Sequence, residues 1–265
     1  MATADSATAK ATSAALARPA SRWRSAGREI LLVLAGVLVY FGVRGVTVTD
    51  AQEALDHALD LVALEKATGL YVEPSLQALV LGSDWLVDVM NWIYIWGHWP
   101  IIVIVLLWLF VAHPAGYLRT RNAMLISGSV GLVIFAAFPV APPRLAGLGL
   151  IDTVTEHSTA YRVLQPPAFV NQYAAMPSLH SGWDVLVGIA IVTAATSTWL
   201  RAVGLLLPVA MLLAVVATGN HFVLDVVAGV TLALVGHAVA LRLERLRFER
   251  SRPASSGPAG SGPAP

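Results

Sequence analysis

The chain has 265 residues, 57% of them hydrophobic and only 12% charged, with a mean hydropathy of +0.70. A soluble domain carries roughly 25% charged residues, so an ordinary soluble domain is excluded and lipid is the expected solvent. There is no cysteine, which rules out disulfides, thiolate metal sites and cysteine nucleophiles.

Residues 1–27 are rich in Ala, Ser, Thr and Arg and have almost nothing to bury, so they read as a disordered basic tail. Residues 251–265 form a second tail of Pro, Gly and Ser. Between them, residues 28–250 read as one membrane domain. Six apolar stretches, 29–48, 85–112, 122–140, 180–199, 202–219 and 222–241, approach the roughly 20 residues that a helix needs to cross the hydrocarbon core. The expected fold is therefore an all-α integral membrane protein with six transmembrane helices. The first stretch follows basic residues as a signal peptide would, but it is too long and lacks a small-residue cleavage pattern, so it reads as an uncleaved anchor.

Charge orients these spans. With both termini cytoplasmic, the inner segments hold Lys10, Arg18, Arg22, Arg24, Arg28, Arg119, Arg121, Arg201, Arg242, Arg245, Arg247, Arg250 and Arg252. Only Arg44, Lys66, Arg144 and Arg162 fall outside, the asymmetry that the positive-inside rule demands. The external segment 49–84 alternates Asp50, Glu53, Asp56, Asp60 and Glu65 with Ala54, Leu55, Ala58, Leu59, Leu61 and Val62 at helical spacing. It reads as an amphipathic helix on the outer face or as a solvated helix capping the bundle, and neither version gives it chemistry.

Polar groups at membrane depth are costly, so their positions are informative. In the second stretch Asp84, Asp88, Asn91, Tyr94 and His98 share one helix face that ends at a kink expected at Pro100. That stripe should face the bundle interior, as a headgroup or acceptor pocket or as interhelical hydrogen bonds. Pro142-Pro143-Arg144 stands at the outer end of the third stretch, and guanidinium suits two-point phosphate binding. Pro177-Ser178-Leu179-His180 opens the fourth. There Pro177 suits the first helical turn, and the free N–H groups with the Ser178 hydroxyl form an anion cradle within reach of His180. In Gly219-Asn220-His221-Phe222-Val223-Leu224-Asp225, His221 and Asp225 are four apart on one helix face, so the carboxylate can orient the imidazole. Asp184, one turn after His180, is an intramembrane acid to which the sequence assigns no role.

The strings FPVAPPRL, YAAMPSLHSGW and TGNHFVLDVVAG, in this order over residues 85–235, resemble the phosphatidic-acid phosphatase type 2 superfamily, and within it the inositol phosphorylceramide synthase-like branch. The resemblance implies that His221 is a nucleophile forming a phosphohistidine, that Asp225 orients it, that His180 is the general acid and that Arg144 binds phosphate. It implies a metal-independent lipid phosphatase or phosphotransferase acting on a lipid phosphate or phospholipid headgroup at the extracytoplasmic face, probed against membrane lipids rather than nucleic acid and needing no cofactor. The chain departs from the phosphatase branch in two places. No Lys precedes Arg144 in the third stretch, and Ala214 and Val215 stand where that branch carries a Ser-Arg pair. Fewer cations suit a less charged phosphodiester, or help from Arg162, and keep headgroup transfer open beside hydrolysis. The Ala/Arg/Val-rich composition points to a bacterial plasma membrane. A transporter or metal-binding protein would instead use His180, His221, Asp225 and Asp184 as ligands, although their spacing matches no dedicated metal site. Small residues in the last stretch (Ala228, Gly229, Ala233, Gly236) allow close helix packing and leave the oligomeric state open.

Overall fold

The computed structural model describes residues 27–36, 38, 39, 42, 50–157 and 171–251. Arg162, Arg44, part of the expected first span and nearly all of both tails lie outside the described residues. Helix accounts for 81% of the described residues and none of them lies in a strand, so the class is all-α. The chain divides into two units, Met1–Val46 and Thr47–Pro265, and the described residues of the first are helical.

In the second unit the helices are α1 (Ala51–Thr68), α2 (Glu73–Leu81), α3 (Asp84–Trp96), α4 (Trp99–Ala112), α5 (Pro114–Ala137), α6 (Thr153–His157), α7 (Leu179–Ala194), α8 (Thr198–Ala217) and α9 (Val223–Ser251). Helices α5, α8 and α9 are long and apolar enough to cross a membrane, and the number rises to four if α2 and α3, bent by 119°, form one broken span. Helices α4 and α7 are apolar but have only 14 and 16 residues. These apolar helices fit an integral membrane protein.

The expected continuous span 85–112 is two helices, interrupted at Gly97-His98. Pro100 sits in the first turn of α4, where its missing N–H cannot continue the α3 ladder. Other boundaries also move. Helix α5 starts at Pro114 rather than 122, because proline suits a first turn, and so takes in Arg119 and Arg121. At the far end α9 runs ten residues past the apolar stretch, and Glu244 there accepts two hydrogen bonds from Arg119 at 2.9 and 3.2 Å.

Helix α7 is central and packs on α4, α5, α8 and α9. Its Leu186, Val187, Ala190 and Ile191 share a core with Ile102, Val105 and Leu109 of α4 and with Ala123, Met124 and Ala233 of α5 and α9. The outward faces are also apolar: Val111 is 72% exposed, Val133 67% and Leu206 65%. Water would penalise that surface at roughly 25 cal/mol per Å², whereas acyl chains do not.

The acidic segment 49–84 forms α1 and α2. Asp50 caps α1 by accepting the Gln52 N–H at 2.8 Å. The apolar face of α1 (Ala54, Ala58, Leu61, Val62) packs on Val140, Ala141, Ala146, Ala175 and Phe222, where α5 ends and α9 begins.

Candidate active site

The turn between α8 and α9 carries His221. Gly219 has φ 72°, and a Cβ there would meet the Ile151 carbonyl, so this sharp reversal needs glycine. Asn220 is fixed on both sides. Its Nδ2 donates to Thr218 Oγ1 at 2.9 Å, and its Oδ1 accepts from Arg144 at 2.7 Å. His221 is buried, with Nδ1 3.5 Å from Asp225 Oδ2. That is an ion-pair distance, longer than an ordinary hydrogen bond. The same Asp225 oxygen accepts the Phe222 N–H at 2.8 Å, so this carboxylate caps its own helix while standing behind the imidazole.

His180 reaches the same place from the N-terminus of α7. Ser178 is the N-cap and Pro177 precedes it, outside the first helical turn where the sequence pattern put it. The Ser178 hydroxyl faces Ser181, accepting its N–H at 3.4 Å, and is fully buried, which commits it to capping rather than to an open cradle. The Ser178 N–H donates to the Asp225 carbonyl at 2.9 Å and fastens this turn to α9. The half-buried His180 ring packs against Tyr94 (centroids 4.8 Å apart) and His98 (4.3 Å), and its centroid is 6.1 Å from that of His221. The two imidazoles thus lie near each other at this end of the bundle.

Arg144 comes from a 3₁₀ turn, Pro143–Leu145, whose Arg144 N–H donates to the Gly219 carbonyl at 3.0 Å. Its Nε lies 3.0 Å from Asp152 Oδ2, so the guanidinium is held by Asp152 and Asn220 beside the histidine turn. Backbone bonds join this loop to the one before His180: the Val140 N–H donates to Tyr173 O at 2.7 Å and the Ala175 N–H to Val140 O at 3.2 Å. All three sequence clusters therefore meet at one end of the bundle, opposite Arg119 and Glu244.

The polar stripe of the second stretch divides. Asp84 and Asp88 are exposed, so the expectation that the whole stripe turns inward is corrected for both. Both belong to the first turns of α3, where the positive helix pole favours acids without burying them. Asn91, Tyr94 and His98 are buried. Asn91 exchanges two 2.9 Å hydrogen bonds with Thr153, and His98 Nδ1 is 2.9 Å from Asp184 Oδ1. Asp184 thus gains a partner. Among the described residues, no group of three or more His, Asp or Glu side chains is arranged to hold a metal ion.

A family model described as "PAP2 superfamily" matches residues 59–239, well over half of the chain. The chain belongs to the PAP2 superfamily. Members of the PAP2 superfamily are phosphatases or phosphotransferases, which supports an enzyme acting on phosphoric esters. No curated protein and no solved structure matches the chain.

The PAP2 match also takes in residues that the sequence pattern did not bring to the site. Asn220 and Asp152 hold Arg144. Glu65 and Glu73, fully buried, accept the Leu224 and Val223 N–H groups at 2.8 Å each. Glu65 continues the buried stripe of Ala54, Ala58 and Leu61, and an acid inside an apolar helix face was the available sign.

Proposed function

We propose that this protein is a membrane-embedded lipid phosphatase or phosphotransferase working through a phosphohistidine on His221, at the extracytoplasmic face of a bacterial plasma membrane. The observation that carries the reading is the pair of imidazoles 6.1 Å apart, one of them, His221, backed by Asp225 and next in sequence to Asn220, which anchors Arg144. The positive-inside pattern supports six spans with cytoplasmic termini and the site outside, with α1 capping that outer end.

Asp225 faces Nδ1 of His221, so Nδ1 carries the proton and Nε2 presents its lone pair. In the first step Nε2 bonds to phosphorus, the bond from phosphorus to the leaving oxygen breaks, and His180 gives that oxygen its proton. In the second, His180 takes the proton of an incoming water or alcohol, whose oxygen bonds to phosphorus as the bond to Nε2 breaks. Arg144 balances negative charge on the non-bridging oxygens in both steps. Among the described residues the site holds one guanidinium, which favours a phosphodiester or lightly charged headgroup.

Phosphate release from a panel of lipid phosphates in detergent, with EDTA present, tests this reading. Wild type should release phosphate and His221→Ala should not; equal release by both would overturn it. Arg144→Ala should lower kcat/KM by roughly 100- to 1,000-fold, the usual effect of removing one charge-stabilising donor at a transition state. Arg144→Lys should recover only part of that loss, because an ammonium cannot hold Asp152, Asn220 and a phosphoryl oxygen in a planar fork.

Headgroup transfer to a lipid alcohol, as in the inositol phosphorylceramide synthase-like branch, is the second reading. Its specific support is the buried His98–Asp184 pair packed against His180, a second basic group where an acceptor hydroxyl could lie. His98→Ala should then reduce transfer to added lipid alcohols at least tenfold more than hydrolysis. Product analysis that finds only free phosphate with every acceptor counts against transfer.

A further inference from the structure

The first turn of α9 is held by three carboxylates from three helices. Phe222, Val223 and Leu224 donate their backbone N–H groups to Asp225 Oδ2, Glu73 Oε1 and Glu65 Oε1 respectively, each at 2.8 Å. A helix start leaves its first N–H groups without intrahelical partners, and an ordinary cap satisfies one or two of them from its own sequence. Here two are satisfied by side chains 150 and 159 residues away.

Glu65 and Glu73 are both fully buried, and Oε2 of each finds no N–H or O–H donor among the described residues. Their Oε1 atoms bind the amides of adjacent residues, so the two carboxylates share one site, where burial and like charge disfavour the ionised form. No lysine or arginine of α9 faces them. Among the described residues, their charged and titratable neighbours are Asp225 on α9 and its partner His221 in the turn before it, Tyr71 between α1 and α2, and Lys66, whose ammonium lies 4.9 Å over the Tyr71 ring.

We propose that Glu65 and Glu73 are positioning residues of this active site, together fixing the turn that aims His221. The inference rests on the reading of His221 as nucleophile. The pair touches no reacting atom. It acts through the backbone of residues 223 and 224, and so sets where His221 and Asp225 point.

A pH dependence follows. Burial first, and then the adjacent Glu73 and the charge of Asp225, push the Glu65 pKa up to about 8, against the pull of the Leu224 N–H. Glu65 in the folded protein therefore keeps a proton that the unfolded chain has released. Its favourable contribution is complete below the ordinary carboxylate range and is lost as pH rises toward about 8. Above that, Glu65 becomes a buried anion facing Asp225 and the turn loosens.

Glu65→Gln and Glu65→Leu, compared with wild type and His221→Ala in the full chain, test the proposal. Gln keeps the acceptor for Leu224 and donates to Glu73, copying the protonated acid. It should keep kcat within about threefold at pH 7, and it should flatten the fall of thermal midpoint that wild type shows between pH 5 and pH 9. Leu loses the acceptor, and kcat should drop at least tenfold with KM little changed. If Glu65→Leu fails to fold, the pH dependence of Glu65→Gln decides by itself. A Gln variant with the wild-type pH dependence of midpoint and of kcat overturns the proposal, as does a folded Leu variant with wild-type kcat. If His221→Ala is inactive while both Glu65 variants match wild type, the positioning role alone fails. If His221→Ala retains activity, the nucleophile reading fails first.

Discussion

Replacing His221 with Ala should abolish turnover, with a loss of kcat of about 10,000-fold or more, the scale seen when a member of a nucleophile-base unit is removed. No neighbour can take over. His180 is packed against Tyr94 and His98 with its ring centroid 6.1 Å away. The fold should survive, because Asp225 still receives the Phe222 N–H and the Glu65 and Glu73 bonds to the turn do not involve the imidazole. Rapid acid or alkaline quench with a phosphorus-labelled lipid substrate provides the direct measurement. Wild type should yield an alkali-stable, acid-labile labelled protein, and His221→Ala none. His221→Asn, which can still donate to Asp225, is expected to be equally inactive and checks that loss of nucleophilicity rather than loss of packing is responsible. Labelled protein from either variant would assign the covalent step elsewhere.

Gly229→Ala should have the largest effect on stability of any single-methyl change in the bundle. A Cβ at position 229 would land on the carbonyl oxygen, carbonyl carbon and amide nitrogen of Ser178, three backbone atoms that cannot rotate aside. Gly182, one turn into α7, would in the same way strike the Gly229 carbonyl, so α7 and α9 cross with their backbones in contact just below the two histidines. Overpacking a core by a methyl group typically costs about 1–3 kcal/mol, and this site has no flexible neighbour to yield. If the helices separate instead, the Ser178 N–H leaves the Asp225 carbonyl and His180 moves with it. The expected result is a thermal midpoint lower by several degrees together with at least a 100-fold loss of activity, the sensitivity expected when catalytic groups shift by about 1 Å. An Ala variant that melts and turns over like wild type would show that the crossing is looser than described.

Much of this was legible in the sequence because membrane depth makes polar residues conspicuous. His180, His221, Asp225 and Arg144 stand out against apolar surroundings, and the structure does bring them to one end of the bundle. The four-residue spacing of His221 and Asp225 correctly placed the carboxylate behind the ring. The errors have a common source: hydropathy records composition, not backbone continuity. The stretch 85–112 is apolar enough to read as one span, yet Gly97 and Pro100 divide it. Ser178 looked available for an anion because sequence cannot tell a cap from a free hydroxyl. Asp88 looked inward because helical phase alone does not say which face of a half-apolar helix turns to its neighbours. Glu65 and Glu73 were the hardest to find. In a segment with five other acids they pass for solvated charge, and only tertiary contact with residues 223 and 224 distinguishes them.

The long sequence separation of those two contacts has a consequence for synthesis. Glu65 and Glu73 emerge from the ribosome well before residues 223 and 224, and at about 5–20 residues per second the interval is on the order of 10–30 s. Throughout that time neither acid can find the amides it binds in the finished protein. Each must stay hydrated at the membrane surface, or be shielded by another factor, while the later helices insert. The histidine end of the bundle therefore closes only after the turn before α9 has been made, and a chain stalled before that turn would lack both contacts.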